Sequence, residues 1–235
     1  MPTSKPADAG QSAPVLITMG EPAGIGPEVA FAAFAALGGR IGHRALHLVG
    51  DVGVFQSCGD IPRDAIIPIK ARAIRNPGKP EAKNAAATIE AISRAVELTM
   101  RKEAAAVVTA PIHKAVLMQS GFAFPGHTDF LAHLTGVSRA VMMLASSQLR
   151  VVPLTVHIPL IEVPRALNQN VILETAEIIL AALKYDFEID KPRLAIAGLN
   201  PHAGESGVLG GEEIAIIAPA IDELHRRGHT VLGPL

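Results

Sequence analysis

Three histidines sit where a fold could put them to chemical use. His127 lies in Pro-Gly-His-Thr-Asp (125–129), His157 follows the apolar run Val151–Val156 ahead of Pro159, and His202 lies in Asn-Pro-His-Ala-Gly (200–204). A neutral imidazole ligates Zn²⁺, Co²⁺ or a related divalent ion, and a catalytic site keeps one coordination position open for substrate. Such an ion polarises an alcohol or carbonyl oxygen. Each of the three reads equally as a hydrogen-bonded loop histidine, and spacing alone fixes no ligand set. His113 and Lys114 lie a short way before His127. Lys114 could attract a phosphate or carboxylate, or simply be an exposed lysine at a helix start. His43, His47, His133, His225 and His229 lack a Gly/Pro turn or a strand end and are assigned to solvent or packing. Glu205 and Ser206 read as loop polarity. No G-x-S-x-G elbow occurs, and the lone Cys58 has no CxxC context, so covalent hydrolysis has little support.

The elements that must position these residues alternate. Pro14–Met19 reads as a strand, followed by a glycine turn and a helix through Val29–Leu37 with Pro27 in its first turn. Gly24 and Gly26 lack both the third glycine of a dinucleotide fingerprint and the Lys-Ser/Thr of a Walker loop. Ala45–Val49 and Ile66–Ile69 are further strands, and a long helical pattern over Glu81–Glu103 delivers the chain into Ala104–Val108. That last run has no polar alternation, which suits a strand buried on both faces of a parallel sheet. Ligand sites in open α/β sheets lie beyond the carboxyl ends of such strands, where Thr109 to Asp129 follows. A short helix is expected over Asp129–Leu134, and a β-hairpin from Val141–Ala145 and Leu149–Val156. A helix over Leu167–Leu183, a buried strand over Leu194–Leu199 and a helix over Glu212–Arg226 complete the pattern. The class is α/β with a mainly parallel sheet.

Composition narrows the function. The 235 residues are 49% hydrophobic and 18% charged, with net charge −1 and pI near 6.8, so no basic surface speaks for nucleic acid or an anionic membrane. With one Tyr and no Trp, base-stacking platforms have little support either. No segment has the length of a membrane span. Residues 1–13 are polar, lack an apolar h-region and read as a disordered tail, so the expected compartment is the cytoplasm. These readings point to a small-molecule protein.

Four stretches occur in order: Ile17-Thr-Met-Gly-Glu-Pro-Ala-Gly-Ile-Gly-Pro-Glu28, Thr109-Ala-Pro-Ile-His-Lys114, Gly126-His-Thr-Asp129 and Leu199-Asn-Pro-His-Ala-Gly-Glu205. Together they closely resemble the 4-hydroxythreonine-4-phosphate dehydrogenase (PdxA) family of vitamin B6 biosynthesis, from about residue 14 to the end. The resemblance implies an isocitrate/isopropylmalate dehydrogenase-like α/β fold, with two interleaved subdomains over 14–235. It places the active site in a cleft built at a homodimer interface. It implies His127 and Thr128 as substrate-binding residues, and His157 and His202 as two of three metal-ligand histidines. The implied cofactors are NAD or NADP and a divalent metal (Zn, Mg or Co). The implied reaction oxidises the secondary hydroxyl of 4-phosphohydroxy-L-threonine, and the 3-oxo acid then decarboxylates to 3-amino-2-oxopropyl phosphate. Family members continue well past Gly233-Pro-Leu235, through the third metal histidine, further phosphate-binding basic residues and much of the cofactor surface. The expectation is therefore a C-terminally truncated chain with weak or no dehydrogenase activity. Two other readings stand beside it. One is a same-family dehydrogenase of a phosphorylated sugar acid or an aromatic cis-dihydrodiol acid; the other is an inactive binding module.

Overall fold

A computed structural model of the chain describes residues 13–235. The expected tail over residues 1–13 lies, up to residue 12, outside the described residues. Ala13 is buried, and its carbonyl accepts a hydrogen bond from the Arg44 guanidinium at 2.9 Å. The chain divides into two compact units, one ending at Ala140 and the other spanning Val141–Leu235.

The first unit runs β1 (Val15–Thr18), α1 (Gly26–Ala36), β2 (Arg40–Ile41), β3 (Arg44–Gly50), α2 (Val52–Gln56), β4 (Ile66–Pro68), α3 (Ala85–Met100), β5 (Ala106–Val108), α4 (Lys114–Gln119) and α5 (His127–Thr135). Parallel pairing joins β4 to β3, β3 to β1 and β1 to β5, while β2 folds back antiparallel on β3. Strand side chains alternate between faces, and here both faces are covered. Leu16 and Val49 pack with Ala91, Ala95 and Leu98 of α3, whereas Ile17, Leu46 and Leu48 join Ala30, Val54 and Phe55. The caps follow local chemistry. Pro27 and Glu28 open α1, Gly38 and Gly39 close it at positive φ, and the Asp51 carboxylate accepts from the Gly53 and Val54 amides to start α2.

One expectation fails here. The run Ala104–Val108, expected to be buried on both faces, is not: β5 covers only its last three residues, and Ala106 and Val108 are exposed. Among the described residues β5 pairs with β1 alone, so its other edge and much of its surface stay open.

The second unit contains β6 (Leu144–Ala145), β7 (Arg150–Val151), α6 (Gln169–Tyr185), β8 (Arg193–Ala195), α7 (Ala218–Arg226) and β9 (Thr230–Leu232). A π-helical turn over Glu213–Ile217 leads into α7. Its core joins Ile172, Leu173 and Ala176 of α6 to Ile217, Ala220, Ile221 and Leu224, with Val231 from β9. Asn168 caps α6 by accepting from the Val171 amide at 3.0 Å. The hairpin exists as the antiparallel pair β6–β7, but each strand has two residues. Pro153 lacks the amide hydrogen that a longer β7 would need, so the expected strand to Val156 does not form. The expected buried strand at 194–199 is also corrected. Arg193, Ala195 and Ala197 are exposed and Leu194 and Ile196 half-buried, the alternation of a strand covered on one face. Its pairing partner is β9, a strand hidden from sequence reading by its short length and the glycine and proline just after it.

Candidate functional site

In the first unit the chain leaves β1 toward β3 on one side, and returns as β5 on the other. This is the switch in strand order that opens a crevice beyond the carboxyl ends of the strands. The two loops that leave β1 and β5 touch there. The Thr18 hydroxyl accepts from the Ala110 amide at 3.3 Å, and the Glu21 amide donates to the Pro111 carbonyl at 2.9 Å. Gly20, at φ +70°, is required at this approach, because a Cβ on it would lie 2.4 Å from the Pro111 oxygen. Glu21 is buried. One of its carboxylate oxygens accepts from the Ala23 amide, and the other has no partner among the described residues.

Beyond β5, His113 is a helix cap: its Nδ1 accepts from the Val116 amide at 3.3 Å. Lys114 follows and has no ion-pair partner among the described residues. Its Nζ lies 3.4 Å from where a Cβ on Gly126 would stand. Gly126 is the N-cap of α5 and offers no side-chain oxygen to the helix amides. His127 is half-buried, with its Nε2 atom enclosed and unpartnered. Burial, and then the Lys114 charge, push its pKa below the ordinary histidine value. Thr128 and Asp129 are exposed in the same turn. Three phenylalanines hold this segment in place. Phe122 meets Phe124 and Phe130 edge to face, Phe124 and Phe130 are tilted on one another, with ring centroids 5.0–5.3 Å apart, and all three pack on Ile92 and Val96 of α3. An ammonium and the positive end of a nine-residue helix lie together beside an imidazole; Asp129 stands in the first turn of that helix but forms no ion pair with Lys114 among the described residues, an arrangement that suits an anion.

The second unit carries the other two candidates. His157 is exposed in an irregular segment at φ +59°, a left-handed conformation that histidine adopts more readily than most residues. His202 is exposed, with its Nδ1 3.5 Å from a Glu205 carboxylate oxygen. No hydrogen bond forms at that separation, so the carboxylate neighbours the ring without orienting it, and Nε2 is available. Both histidines therefore fit as donors of the right type. They fit only as part of a site, since the described residues contain no group of three or more His, Cys, Asp or Glu able to hold a metal. A cavity of about 870 Å³ lies in the same unit, but apolar side chains such as Leu149, Ile179 and Ile196 dominate its lining and neither histidine belongs to it.

Sequence reasoning assigns no role to Glu213, which is buried with 3% of its surface exposed. Its Oε1 accepts from the Leu199 and Asn200 amides at 2.9 and 3.3 Å. Its own backbone N–H, and then those two amides, hold the carboxyl below the ordinary carboxylate range against the opposing effect of burial. A signal exists in the sequence: Glu213 stands on the helical stripe of Ile217, Ala220, Ile221 and Leu224, where an apolar residue is the rule.

Comparison with known proteins places these geometries in context. The family model described as "Pyridoxal phosphate biosynthetic protein PdxA" matches residues 44–235. The 4-hydroxythreonine-4-phosphate dehydrogenase of Paracoccus denitrificans (strain Pd 1222) is 44% identical over 239 residues, covering 96% of this chain and 73% of that protein. The crystal structure of 4-hydroxythreonine-4-phosphate dehydrogenase from Klebsiella pneumoniae superposes with TM-score 0.82 at 33% identity, covering 95% of this chain and 75% of that one. A terephthalate 1,2-cis-dihydrodiol dehydrogenase from Burkholderia xenovorans LB400 superposes with TM-score 0.68 at 27% identity, covering 95% and 73%.

Proposed function

Because the chain belongs to the PdxA family of pyridoxal phosphate biosynthesis, we propose that it serves NAD(P)-dependent oxidation of 4-phosphohydroxy-L-threonine, with His127 and Thr128 as substrate-binding residues. The observation that carries this reading is the Lys114 ammonium, without an ion-pair partner among the described residues, beside the amino end of α5. Lys114 and the uncapped amino end of α5 face the same spot, and a phosphate supplies the charge they lack. The dehydrogenase reaction moves the carbinol hydrogen as hydride to the nicotinamide and releases the hydroxyl proton. The 3-oxo acid so formed loses CO₂ to give 3-amino-2-oxopropyl phosphate.

His157 and His202 are our candidates for two of the ligands to a divalent ion (Zn, Mg or Co). When bound, that ion supplies polarisation of the substrate oxygen. The working form in this reading is a homodimer with the site at its interface, a reading that rests on family membership. Light scattering on the purified protein tests it, and a monomer mass at enzymatic concentration removes it.

The function is tested by titrating the purified chain with 4-phosphohydroxy-L-threonine and with 4-hydroxy-L-threonine, then following NADH formation with a divalent metal. The phosphorylated compound is expected to bind about tenfold or more tightly, the scale of a charge-assisted hydrogen bond. NADH formation, however slow, is expected to vanish with a chelator and in His202→Ala. Equal affinity for the two compounds would overturn the phosphate assignment. Turnover that survives both controls would overturn the metal assignment, and turnover of an aromatic cis-dihydrodiol acid in its place would change the substrate.

A further inference from the structure

The loop that presents His202 holds an unusual backbone. Ala203, Gly204 and Glu205 are consecutive residues at positive φ (+46°, +73° and +43°), and two of them are not glycine. Left-handed runs of this kind persist only where surrounding contacts over-determine them. Backbone bonds within the loop, from the Ala203 amide to the Asn200 carbonyl and from the Glu205 amide to the His202 carbonyl, hold it locally, and one buried side chain braces it.

The geometry points to Glu213 as the positioning residue for His202, acting through the Asn200 turn. The inference rests on the reading of His202 as a functional ligand. The Glu213 Oε1 atom takes the Leu199 and Asn200 amides, which fixes the arm that enters the loop. On the returning arm, Gly204 passes so close that a Cβ there would lie 2.8 Å from Glu213 Oε2 and 3.0 Å from the Gly210 oxygen. The carboxylate therefore stands between both arms. Asn200 then relays the constraint: its Oδ1 accepts from the His202 amide at 2.7 Å, and its Nδ2 donates to the Leu209 carbonyl at 3.0 Å. Two hydrogen bonds thus connect the buried acid to the backbone of His202.

Two further features separate this arrangement from an ordinary loop clamp. Glu213 has no cation partner among the described residues, so a buried charge is compensated by backbone amides alone. An apolar side chain at this point of the stripe would spare that desolvation. The acid also opens the π-helical turn Glu213–Ile217, and such turns recur at functional sites because they re-aim one residue within a helix. Both features are what a loop with a directed task requires. Neither serves burial alone.

The test uses the whole chain labelled for NMR, with Zn²⁺ as the metal probe. In Glu213→Ala without metal, the Leu199 and Asn200 amides are expected to exchange about tenfold faster, and the His202 backbone and ring signals to shift. Signals of α1 and α3 are expected to stay in place. Zn²⁺ affinity is expected to fall about tenfold, the scale of lost orienting partners around a metal ligand. Glu213→Gln, which keeps an acceptor oxygen, is expected to restore the amide protection. Asn200→Ala, which removes the relay and leaves the acid in place, is expected to shift the His202 signals while the Leu199 amide stays protected; should Glu213→Ala not fold, this variant and Glu213→Gln decide. Loop and His202 signals that superpose on wild type in these variants would overturn the inference, even with a lowered melting temperature. The metal reading fails separately: it falls if Zn²⁺ leaves the His157 and His202 ring signals of the wild-type protein unmoved.

Discussion

Two loops, one in each unit, present a histidine from a glycine-containing turn beyond a strand, and they are held by opposite means. The segment carrying His127 is pinned by rings, with Phe122, Phe124 and Phe130 packed on the apolar face of α3. The loop carrying His202 is pinned by polar atoms, with Glu213 and Asn200 bonded to the backbone around it. Apolar anchoring spends no donors or acceptors, so Lys114 remains without an ion-pair partner among the described residues beside the amino end of α5. Polar anchoring uses its donors and acceptors internally, and fixes a backbone shape that apolar contact cannot specify. The first design leaves charge to be answered by a ligand, whereas the second aims a single ring.

The largest effect that bears on this contrast comes from Phe130→Ala. Phe130 is 5% exposed at the centre of the cluster, and such truncations cost about 3–5 kcal/mol. Guanidinium unfolding followed by hydrogen exchange in α5 should show the loss in the first unit and leave the Leu199 and Asn200 amides protected. A loss below about 1 kcal/mol would show that the rings do not anchor the segment. Next comes Lys114→Met, which keeps the stem and removes the charge. Affinity for 4-phosphohydroxy-L-threonine should fall about tenfold or more, with affinity for the dephosphorylated analogue unchanged. Equal losses for both ligands would assign Lys114 to packing.

Much of the first unit is legible in the sequence, and the reason is local. β1, α1, β3 and α3 each carry an apolar pattern of their own, and for α1 Pro27, Gly38 and Gly39 mark boundaries that the structure keeps. The motif residues His127, Thr128, His157 and His202 are visible because glycine and proline surround them. What escapes is set by neighbours distant in sequence. The exposure of Val108 depends on which edge of β5 finds a partner, and β9 is a strand only because β8 lies beside it. Glu213 acts on residues 13 and 14 positions away, through a helix register that a π turn shifts. Pro153 cuts β7 short, a single residue that outweighs an otherwise good strand pattern.

The smallest expected effect, and the one that separates the two anchors most cleanly, is their response to acid. His127 is depressed by burial and by Lys114, so the unfolded chain takes up the proton first as pH falls. Its contribution to stability is complete above the ordinary histidine value of about 6.5, declines below it, and levels off once pH has passed the lowered folded value. Glu213 is depressed by backbone amides, its own foremost, so its contribution is complete above the ordinary carboxylate value of about 4.3 and is lost as pH falls through the lower folded value. Acidification should therefore loosen the His127 segment first and the His202 loop only in a later, more acid window. Amide exchange at Thr128 and at Asn200, followed in one titration, reads both. Lys114→Met should narrow the first window, because it removes one of the two causes, and should leave the second where it was. Simultaneous loosening of both loops would mean that the whole fold, and not two separate anchors, answers to pH.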